Sequence, residues 1–264
     1  MDLRELPSNP FARHPWETAR AAFFVELVSR RDSGVESIAV LDVGAGDGYL
    51  GRRLLTVLPS GSRVVCFDPN YTAEHLQTLN LEAPPGLTFS RERVAVKFDW
   101  LLLLDVLEHV PDDVAMLTNL VDEQLKGGGY ALISVPAWPQ LFTNHDVMLG
   151  HYRRYRPLQL ASVIGRSGLQ SLDGGSLFAS LLLPRLLAKL RERALGIHSV
   201  PLSGAPDAHA NTEVSDWRGG RGVTSAVSWV LGQDSRAVRT LSRVGIRLPG
   251  LSTWALARKP EDEP

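Results

Sequence analysis

A glycine-rich segment after an apolar run holds the residues of this sequence that are best suited to binding a ligand. The run Ser37–Asp42 is typical of a strand buried on both faces, and Asp42-Val-Gly-Ala-Gly-Asp-Gly48 follows it directly. Glycine tolerates positive φ and lets the backbone approach a ligand closely, because it has no Cβ. Open α/β sheets bind ligands at the carboxyl ends of their strands, so Gly44, Gly46 and Gly48 are predicted to form a binding loop.

A carboxylate lies at the end of the next predicted strand. Arg63 to Asp68 has the pattern of a second buried strand, and Asp68 stands at its end. An acid at that place can accept hydrogen bonds from both hydroxyls of an adenosine ribose. The combination of strand, glycine loop, helix and second-strand acid favours a nucleoside-containing cofactor over a simple tight turn.

The acids beside the glycines indicate the charge of that cofactor. A dinucleotide fingerprint is G-x-G-x-x-G with the pyrophosphate at a helix N-terminus, but here the third glycine comes one residue early. Asp42 and Asp47 would also repel a pyrophosphate. S-adenosylmethionine fits the loop better, since it has a sulfonium and an ammonium group and no phosphate.

The sequence resembles the class I S-adenosylmethionine-dependent methyltransferases, whose first motif is an acid followed by x-G-x-G-x-G. The resemblance extends to Leu104-Asp-Val-Leu-Glu-His-Val110, which is similar to the family's fourth-strand motif ending in L-E-H. It implies that Asp105 and Leu107 lie beside the methionine part of the cofactor. Trp16 and Arg20 resemble the W-x-x-x-R of a helix that precedes the core in one subgroup, which adds Arg20 to the predicted cofactor site.

The sequence departs from this family beside the expected adenine. The family usually has an acidic residue just after the third strand, where this chain has Ser90 or Arg91. No residue is therefore assigned to the adenine.

Histidines after the fifth predicted strand are the candidates for proton transfer. Methyl transfer is an in-line displacement at an activated carbon, and a hydroxyl acceptor must also lose its proton. His145 is predicted to act as a base whose imidazole is steered by the adjacent Asp146, and His151 is a second candidate. Both histidines have an alternative interpretation as ordinary loop residues. Arg153 and Arg154 either bind an anionic group of the acceptor or pair with neighbouring acids.

Other reactive side chains are predicted to have no catalytic role. Asp105, Glu108, His109 and His145 are of types that bind metals, but no paired spacing demands an ion, so no metal site is predicted. Glu108 and His109 are expected to line the pocket. Cys66 lies in an apolar run and is predicted to be a buried strand residue.

Buried strands alternate with helical segments along most of the chain, which predicts βαβ units. We expect an α/β, Rossmann-like sheet of seven mostly parallel strands with helices on both faces and an antiparallel last strand. Four parts are predicted: an N-terminal helical cap (1–36), a methyltransferase core (37–177), a helical and loop insertion on the acceptor side (178–250), and the last core strand with the tail (251–264).

Patterns in the second half of the chain are weaker. Gly127–Gly129 is predicted to break a helix ahead of the fifth strand. From Ala137 to Tyr155 the apolar residues show no regular spacing that would indicate a helix or a strand. Leu177 to Arg193 is predicted to be one apolar helix. The polar segment 196–222 is predicted to be a long loop, and we hypothesise that it closes over the acceptor as a lid.

Composition excludes several classes of protein. With a net charge of −1 over 264 residues, the chain lacks the basic excess of a dedicated nucleic-acid binder. It starts without an apolar signal core, and the apolar stretch Ser176–Leu183 is far shorter than the roughly 20 residues of a membrane span. We therefore expect a cytoplasmic protein with no nucleic-acid partner and no integral membrane segment, while peripheral membrane contact stays open.

Together these expectations describe an S-adenosylmethionine-dependent methyltransferase that acts on a small molecule or a glycan- or lipid-linked intermediate, with oxygen as the expected acceptor atom. Two alternatives stay open: a nicotinamide-dependent Rossmann oxidoreductase, and a non-catalytic methyltransferase-like domain that binds a partner. No motif identifies the acceptor or the oligomeric state.

Overall fold

The structure, a computed structural model, describes residues 13–31, 36–196, 217 and 219–261. Its helices and strands are α1 (Pro15–Ser29), β1 (Ala39–Val43), α2 (Tyr49–Leu55), β2 (Arg63–Phe67), α3 (Ala73–Leu81), β3 (Leu87–Ser90), β4 (Phe98–Leu104), α4 (Asp113–Gln124), β5 (Leu125–Pro136), α5 (Asn144–Met148), α6 (Pro157–Arg166), β6 (Gln170–Leu177), α7 (Leu182–Ala194), α8 (Arg221–Arg243) and β7 (Ser252–Arg258).

Seven strands of the described chain form one sheet in the order β3-β2-β1-β4-β5-β7-β6. Strands β1 to β5 run parallel, and β7 is antiparallel to both β5 and β6. This is the predicted Rossmann-like sheet with its antiparallel last strand. The strand order reverses between β1 and β4, so the carboxyl ends of these two strands flank a crevice of the kind that binds ligands in open α/β sheets.

Side chains alternate along the central strand β4 and so contribute to two apolar cores. Trp100 and Leu102 belong to a cluster with side chains of α1, α2 and α8. Leu101 and Leu103 belong to a second cluster with side chains of α4 and α6. All four residues are completely buried. Helices thus cover both faces of the sheet, as predicted, and Cys66 is a buried strand residue of the first cluster.

The weaker sequence patterns were partly wrong about boundaries. Leu177 is the last residue of β6 and is completely buried, and Phe178 then takes a φ of 61° that turns the chain. Helix α7 therefore begins at Leu182, five residues later than predicted. Gly127–Gly129 lie inside β5, which follows α4 without a break.

The long loop predicted at 196–222 lies outside the described residues except for positions 196, 217 and 219–222. The hypothesis that this segment closes as a lid concerns the same positions. Residues 221 and 222 already belong to α8. Among the helices that the structure describes, none combines the length and the apolar character needed to cross a membrane.

Gly250 lies between α8 and β7 at a point where no side chain fits. A Cβ there would lie 2.3 Å from the backbone carbonyl oxygen of Leu177, which cannot move without disturbing β6. We predict that Gly250→Ala lowers the free energy of unfolding by roughly 1–3 kcal/mol in denaturant titrations, the usual cost of overpacking.

Gly165→Ala is the matched control for this prediction. Gly165 is exposed in helix α6, and an added Cβ would meet nothing within 4 Å. Alanine there should be neutral or stabilise the protein by about 0.5–1 kcal/mol, because it lowers the entropy of the unfolded chain. Equal effects of the two substitutions would contradict this description of the β6–β7 junction.

Candidate functional site

The loop after β1 has a backbone that requires glycine. Gly44, Gly46 and Gly48 have φ values of 66°, 56° and 70°. A Cβ on Gly48 would also lie 2.4 Å from the ring of Phe89, so packing excludes a larger residue as well. The Gly44 amide donates a hydrogen bond to the Phe67 carbonyl oxygen at 2.8 Å, which ties the loop to the end of β2.

Tyr71 fixes the loop from the segment between β2 and α3, and no motif in the sequence indicated it. Its buried hydroxyl donates to the carbonyl oxygen of Gly46 at 2.5 Å. Burial raises the pKa of this hydroxyl, which keeps it a donor at neutral pH. Its ring meets that of Phe89 edge to face. The one available signal was an aromatic residue three positions after the acid that ends β2.

Carboxylates concentrate around this loop. Asp42 and Asp68, beside the ends of β1 and β2, are both almost fully buried. Burial raises the pKa of Asp42 to about 7; Arg20 opposes this shift, and the charges of Asp47 and Asp68 add to it. The Asn70 amide donates to Asp68 Oδ1 at 2.9 Å and fixes that side chain. A cation bound here would favour the ionised form of Asp42.

Helix α1 and the residue two positions before it bring two arginines to the glycine loop. Arg13 pairs with Asp47, and Arg20 pairs with Asp105. The guanidinium of Arg20 also stacks on the ring of Trp16, 4.5 Å from its centroid, so the two residues of the W-x-x-x-R pattern lie together. The cleft between helix and loop has a charged lining of both signs, which includes Arg13, Glu17, Arg20, Asp42 and Asp47. Such a lining suits a zwitterionic ligand.

Asp105 and Leu107 follow β4, on the opposite side of the crevice from β1. Asp105 has a φ of 59°, uncommon for a residue with a Cβ, and it accepts a hydrogen bond from Ser134 Oγ at 3.2 Å. The side chain of Leu107 is completely buried in the core. Only its backbone is therefore available to a ligand.

A short helix places Asp146 at the centre of a buried ion cluster. Helix α5 forms inside the segment that showed no period, because the Thr143 amide and hydroxyl donate to Asp146 Oδ2 at 2.8 and 3.1 Å and cap the helix. Arg154 Nε donates to Oδ1 at 2.8 Å, and Arg185 donates to Oδ2 at 2.6 Å. Burial opposes ionisation of Asp146, but a hydrogen bond to His151 and the two arginines outweigh it and hold its pKa below the usual range.

Asp146 orients His151 rather than His145. His151 Nδ1 lies 3.0 Å from Asp146 Oδ1, whereas the contacts of the described residues include no hydrogen bond between His145 and Asp146. The predicted steering of His145 is therefore wrong, because adjacent residues of a helix do not face each other. Burial lowers the pKa of His145 to about 4 and also lowers that of His151, so both rings are neutral at neutral pH.

Glu108 and His109 lie against His151. The two imidazole rings meet edge to face with centroids 4.7 Å apart. Glu108 is completely buried, which raises its pKa to about 8, and within the described structure neither carboxylate oxygen has a hydrogen-bond partner. One potential ligand atom of each residue lies within 4.8 Å of the other two. The sequence predicted no metal site, and the residues of metal-binding type that were considered in it, Asp105 and His145 besides Glu108 and His109, did not include His151.

The two adjacent arginines pair with acids of the protein. Arg153 lies 3.0 Å from Asp113, and Arg154 belongs to the Asp146 cluster. Of the two interpretations left open by the sequence, these contacts correspond to pairing with neighbouring acids.

Comparison with known proteins gives a family and several similar folds. Residues 16–173, more than half of the chain, match a family described as a methyltransferase domain. No curated protein sequence matches the chain. A similar solved structure is the 4+2 cyclase SpnF, with a TM-score of 0.52 and 15% identity over 97% of this chain and 86% of that one.

Two further similar structures were solved with a cofactor or its product bound. Phosphoethanolamine N-methyltransferase 2 of Haemonchus contortus, in complex with S-adenosyl-L-methionine, has a TM-score of 0.52 and 17% identity over 90% of this chain and 53% of that one. N-methyltransferase NodS from Bradyrhizobium japonicum WM9, in complex with S-adenosyl-L-homocysteine, has a TM-score of 0.50 and 14% identity over 98% and 96% of the two chains.

The Asp146 cluster generates a prediction about stability. Asp146→Asn leaves Arg154 and Arg185 without their countercharge, so we expect it to lower the free energy of unfolding by about 3 kcal/mol or more at neutral pH. The folded-state pKa of Asp146 lies below its ordinary value of 3.8. The contribution of Asp146 to the free energy of unfolding is therefore complete above pH 3.8 and is lost as the pH falls below that value.

Denaturant titrations of wild type and variant check this prediction at neutral pH and at about pH 3. At the lower pH the difference in their free energies of unfolding should shrink. Glu123→Gln is the control, because it breaks only the exposed pair with Arg93 and should cost roughly 1 kcal/mol or less. Similar losses from the two substitutions would show that the Asp146 cluster does not stabilise the fold.

Proposed function

The chain belongs to the class I S-adenosylmethionine-dependent methyltransferases, and we propose that it methylates an oxygen atom of a small molecule or of a glycan- or lipid-linked intermediate. Membership rests on the methyltransferase-domain match together with the seven-stranded fold. It makes the protein an enzyme and S-adenosylmethionine its cofactor, which sets aside the nicotinamide oxidoreductase and the non-catalytic domain. Because a cyclase shares the fold, the family match, and not the fold alone, supports methyl transfer.

We assign the cofactor to the crevice between the carboxyl ends of β1 and β4. When bound, it supplies a methyl group already activated by positive sulfur. Asp68 is proposed to accept the ribose hydroxyls, and Gly44, Gly46 and Gly48 to let the backbone approach the cofactor. This assignment is supported by the positive φ of the glycines and the fixed, almost buried carboxylate.

The charged groups of the amino acid part are assigned to residues of both signs. Arg20 is proposed to bind the carboxylate of the methionine part, while Asp42 and Asp105 stabilise its cationic groups. Leu107 is proposed to contribute backbone contacts only, since its side chain is buried. The mixed charge of the cleft below α1 supports this arrangement.

The bond between Asp146 and His151 is the observation that carries the chemical proposal. Asp146 accepts a hydrogen bond from His151 Nδ1–H, which leaves the lone pair on Nε2 to take a proton from an acceptor hydroxyl. Because burial lowers its pKa, His151 is neutral and able to act as a base. Asp146 is then a positioning residue. His145, neutral and half-buried, is the second candidate.

The appended segments are proposed to select the acceptor. We also propose the four-part division of the chain, in which residues 178–250 lie on the side of the sheet where the acceptor binds. The contact of Arg185 in α7 with Asp146, beside His151, supports this placement of 178–250. A cytoplasmic location belongs to the same proposal. So does the lack of a nucleic-acid partner, which the near-zero net charge supports.

The proposed ribose contact gives a prediction about affinity. Asp68→Ala should weaken binding of S-adenosylhomocysteine by roughly 1.5–3 kcal/mol, the usual worth of hydrogen bonds to a charged group, as measured by calorimetry. The melting temperature of the free protein should change little. Glu82→Ala, which removes an exposed acid after α3, should leave the affinity unchanged. An unaltered affinity in the Asp68 variant would exclude it as the ribose ligand.

The proposed base gives a prediction about turnover. A panel of hydroxyl-bearing small molecules and lipid-linked glycans, incubated with labelled cofactor, should yield a product methylated on oxygen. With that acceptor, His151→Gln should lower kcat by about 100-fold or more while the affinity for S-adenosylhomocysteine is retained. Methylation on nitrogen would contradict the proposed acceptor atom.

Chelation separates this proposal from a metal-assisted one. We propose no metal, so protein treated with a chelator should keep full activity. Activity that is lost on chelation and restored by a divalent ion would contradict the proposal. Such a result would assign the ion to Glu108, His109 and His151.

A further inference from the structure

Helix α7 presents an apolar stripe to the exterior of the protein. Leu183, Leu186, Leu187 and Leu190 are 63%, 44%, 57% and 50% exposed, and no residue of the helix is buried. Their spacing of three, four and seven residues places them on one face of the helix. A helix at the surface of a globular protein ordinarily turns such a face toward the core, so this orientation requires an explanation.

Charge fixes this orientation, because the polar face of α7 is the one that contacts the rest of the protein. Arg185 donates to Asp146 Oδ2 at 2.6 Å, and Glu192 accepts from the Asn144 amide at 3.2 Å. Lys189 lies 4.0 Å from Glu192 on the same face. Rotation of the helix to bury its leucines would remove a countercharge from the buried Asp146, which is unfavourable.

Two further arginines flank the exposed stripe near its C-terminal end. By helical geometry Arg191 and Arg193 lie on opposite sides of the leucines, and both are exposed. An apolar stripe with basic flanks is typical of helices that lie in the interface of a membrane. Arginines at such a depth are attracted to anionic headgroups.

A second copy of the chain offers poorer complementarity to this face. Glu192 is the one acid within α7, and it faces the body of the protein. Two α7 stripes packed together would therefore give Arg191 and Arg193 no acid of the facing helix. A lipid surface provides both an apolar layer and anionic phosphates.

We propose that α7 docks on an anionic lipid surface, with its leucines at the acyl boundary and Arg191 and Arg193 at the headgroups. The polar face of the same helix is fastened to the segment that carries Asp146 and His151. One part of this inference rests on the proposed function. If α7 docks on lipid and the protein methylates an acceptor, that acceptor is amphiphilic and reaches His151 from the membrane surface.

Vesicle flotation of the full chain tests the inference without any catalytic step. The protein should float with vesicles of phosphatidylglycerol and phosphatidylcholine in equal parts, and far less with phosphatidylcholine alone. Leu183→Ser with Leu187→Ser should weaken vesicle affinity by about tenfold or more. Arg191→Gln with Arg193→Gln should weaken it by about 25-fold, since each charge near the surface is worth about fivefold.

Leu81→Ser with Leu158→Ser is the matched control, because these leucines are 85% and 84% exposed on α3 and α6. This pair should leave vesicle affinity unchanged. The inference fails if the wild type does not float, or if all variants float equally. It also fails if the α7 leucine pair dissociates a dimer in light scattering while lipid has no effect.

Binding of S-adenosylhomocysteine to each variant separates the two proposals. Retained binding shows that the α7 variants are folded, so their loss of flotation would support the inference. A wild type that binds S-adenosylhomocysteine but not vesicles would overturn the docking surface and leave the methyltransferase assignment intact.

Discussion

Negative charge gathers at the carboxyl ends of β1, β2 and β4, and the surrounding elements are arranged to balance it. The reversal of strand order brings Asp42, Asp68 and Asp105 to one edge of the sheet, and their mutual repulsion must be compensated. Helix α1 supplies part of the compensation, since Arg20 pairs with Asp105 and opposes the rise in the pKa of Asp42 that burial causes. We propose that a cationic cofactor completes it. The same acids disfavour a pyrophosphate, so on this proposal electrostatics selects the class of cofactor.

A second buried charge organises the other side of the crevice. Asp146 is completely buried, yet it stays ionised because Arg154, Arg185 and His151 surround it. Through these contacts it joins α5, the segment after it, and α7 into one unit. That unit holds an imidazole in a fixed orientation and also turns the apolar face of α7 outward. The proposals for the base and for the lipid surface therefore share one physical origin.

The parts of the proposed site that are contiguous along the chain could be predicted from the sequence. The glycine loop and Asp68 were singled out because strand, loop and helix follow one another, and Gly44, Gly46 and Gly48 have the positive φ that glycine tolerates. The hydrogen bond between Asp146 and His151 could not be predicted, because the choice between His145 and His151 depends on how α5 packs. Tyr71 was missed for the same reason: its partner, the Gly46 carbonyl, belongs to another strand's loop. An apolar helix was predicted in the region of α7, but the direction of its apolar face is set by Asp146.

We propose that the acids of this crevice select S-adenosylmethionine over phosphate-bearing cofactors. Thermal unfolding with increasing S-adenosylhomocysteine or NAD tests this selection, because a ligand that binds only the folded state stabilises it by about 2.7 kcal/mol at 100 times its Kd. We expect Tm to rise with S-adenosylhomocysteine and to stay constant with NAD. A rise with NAD and none with S-adenosylhomocysteine would contradict it.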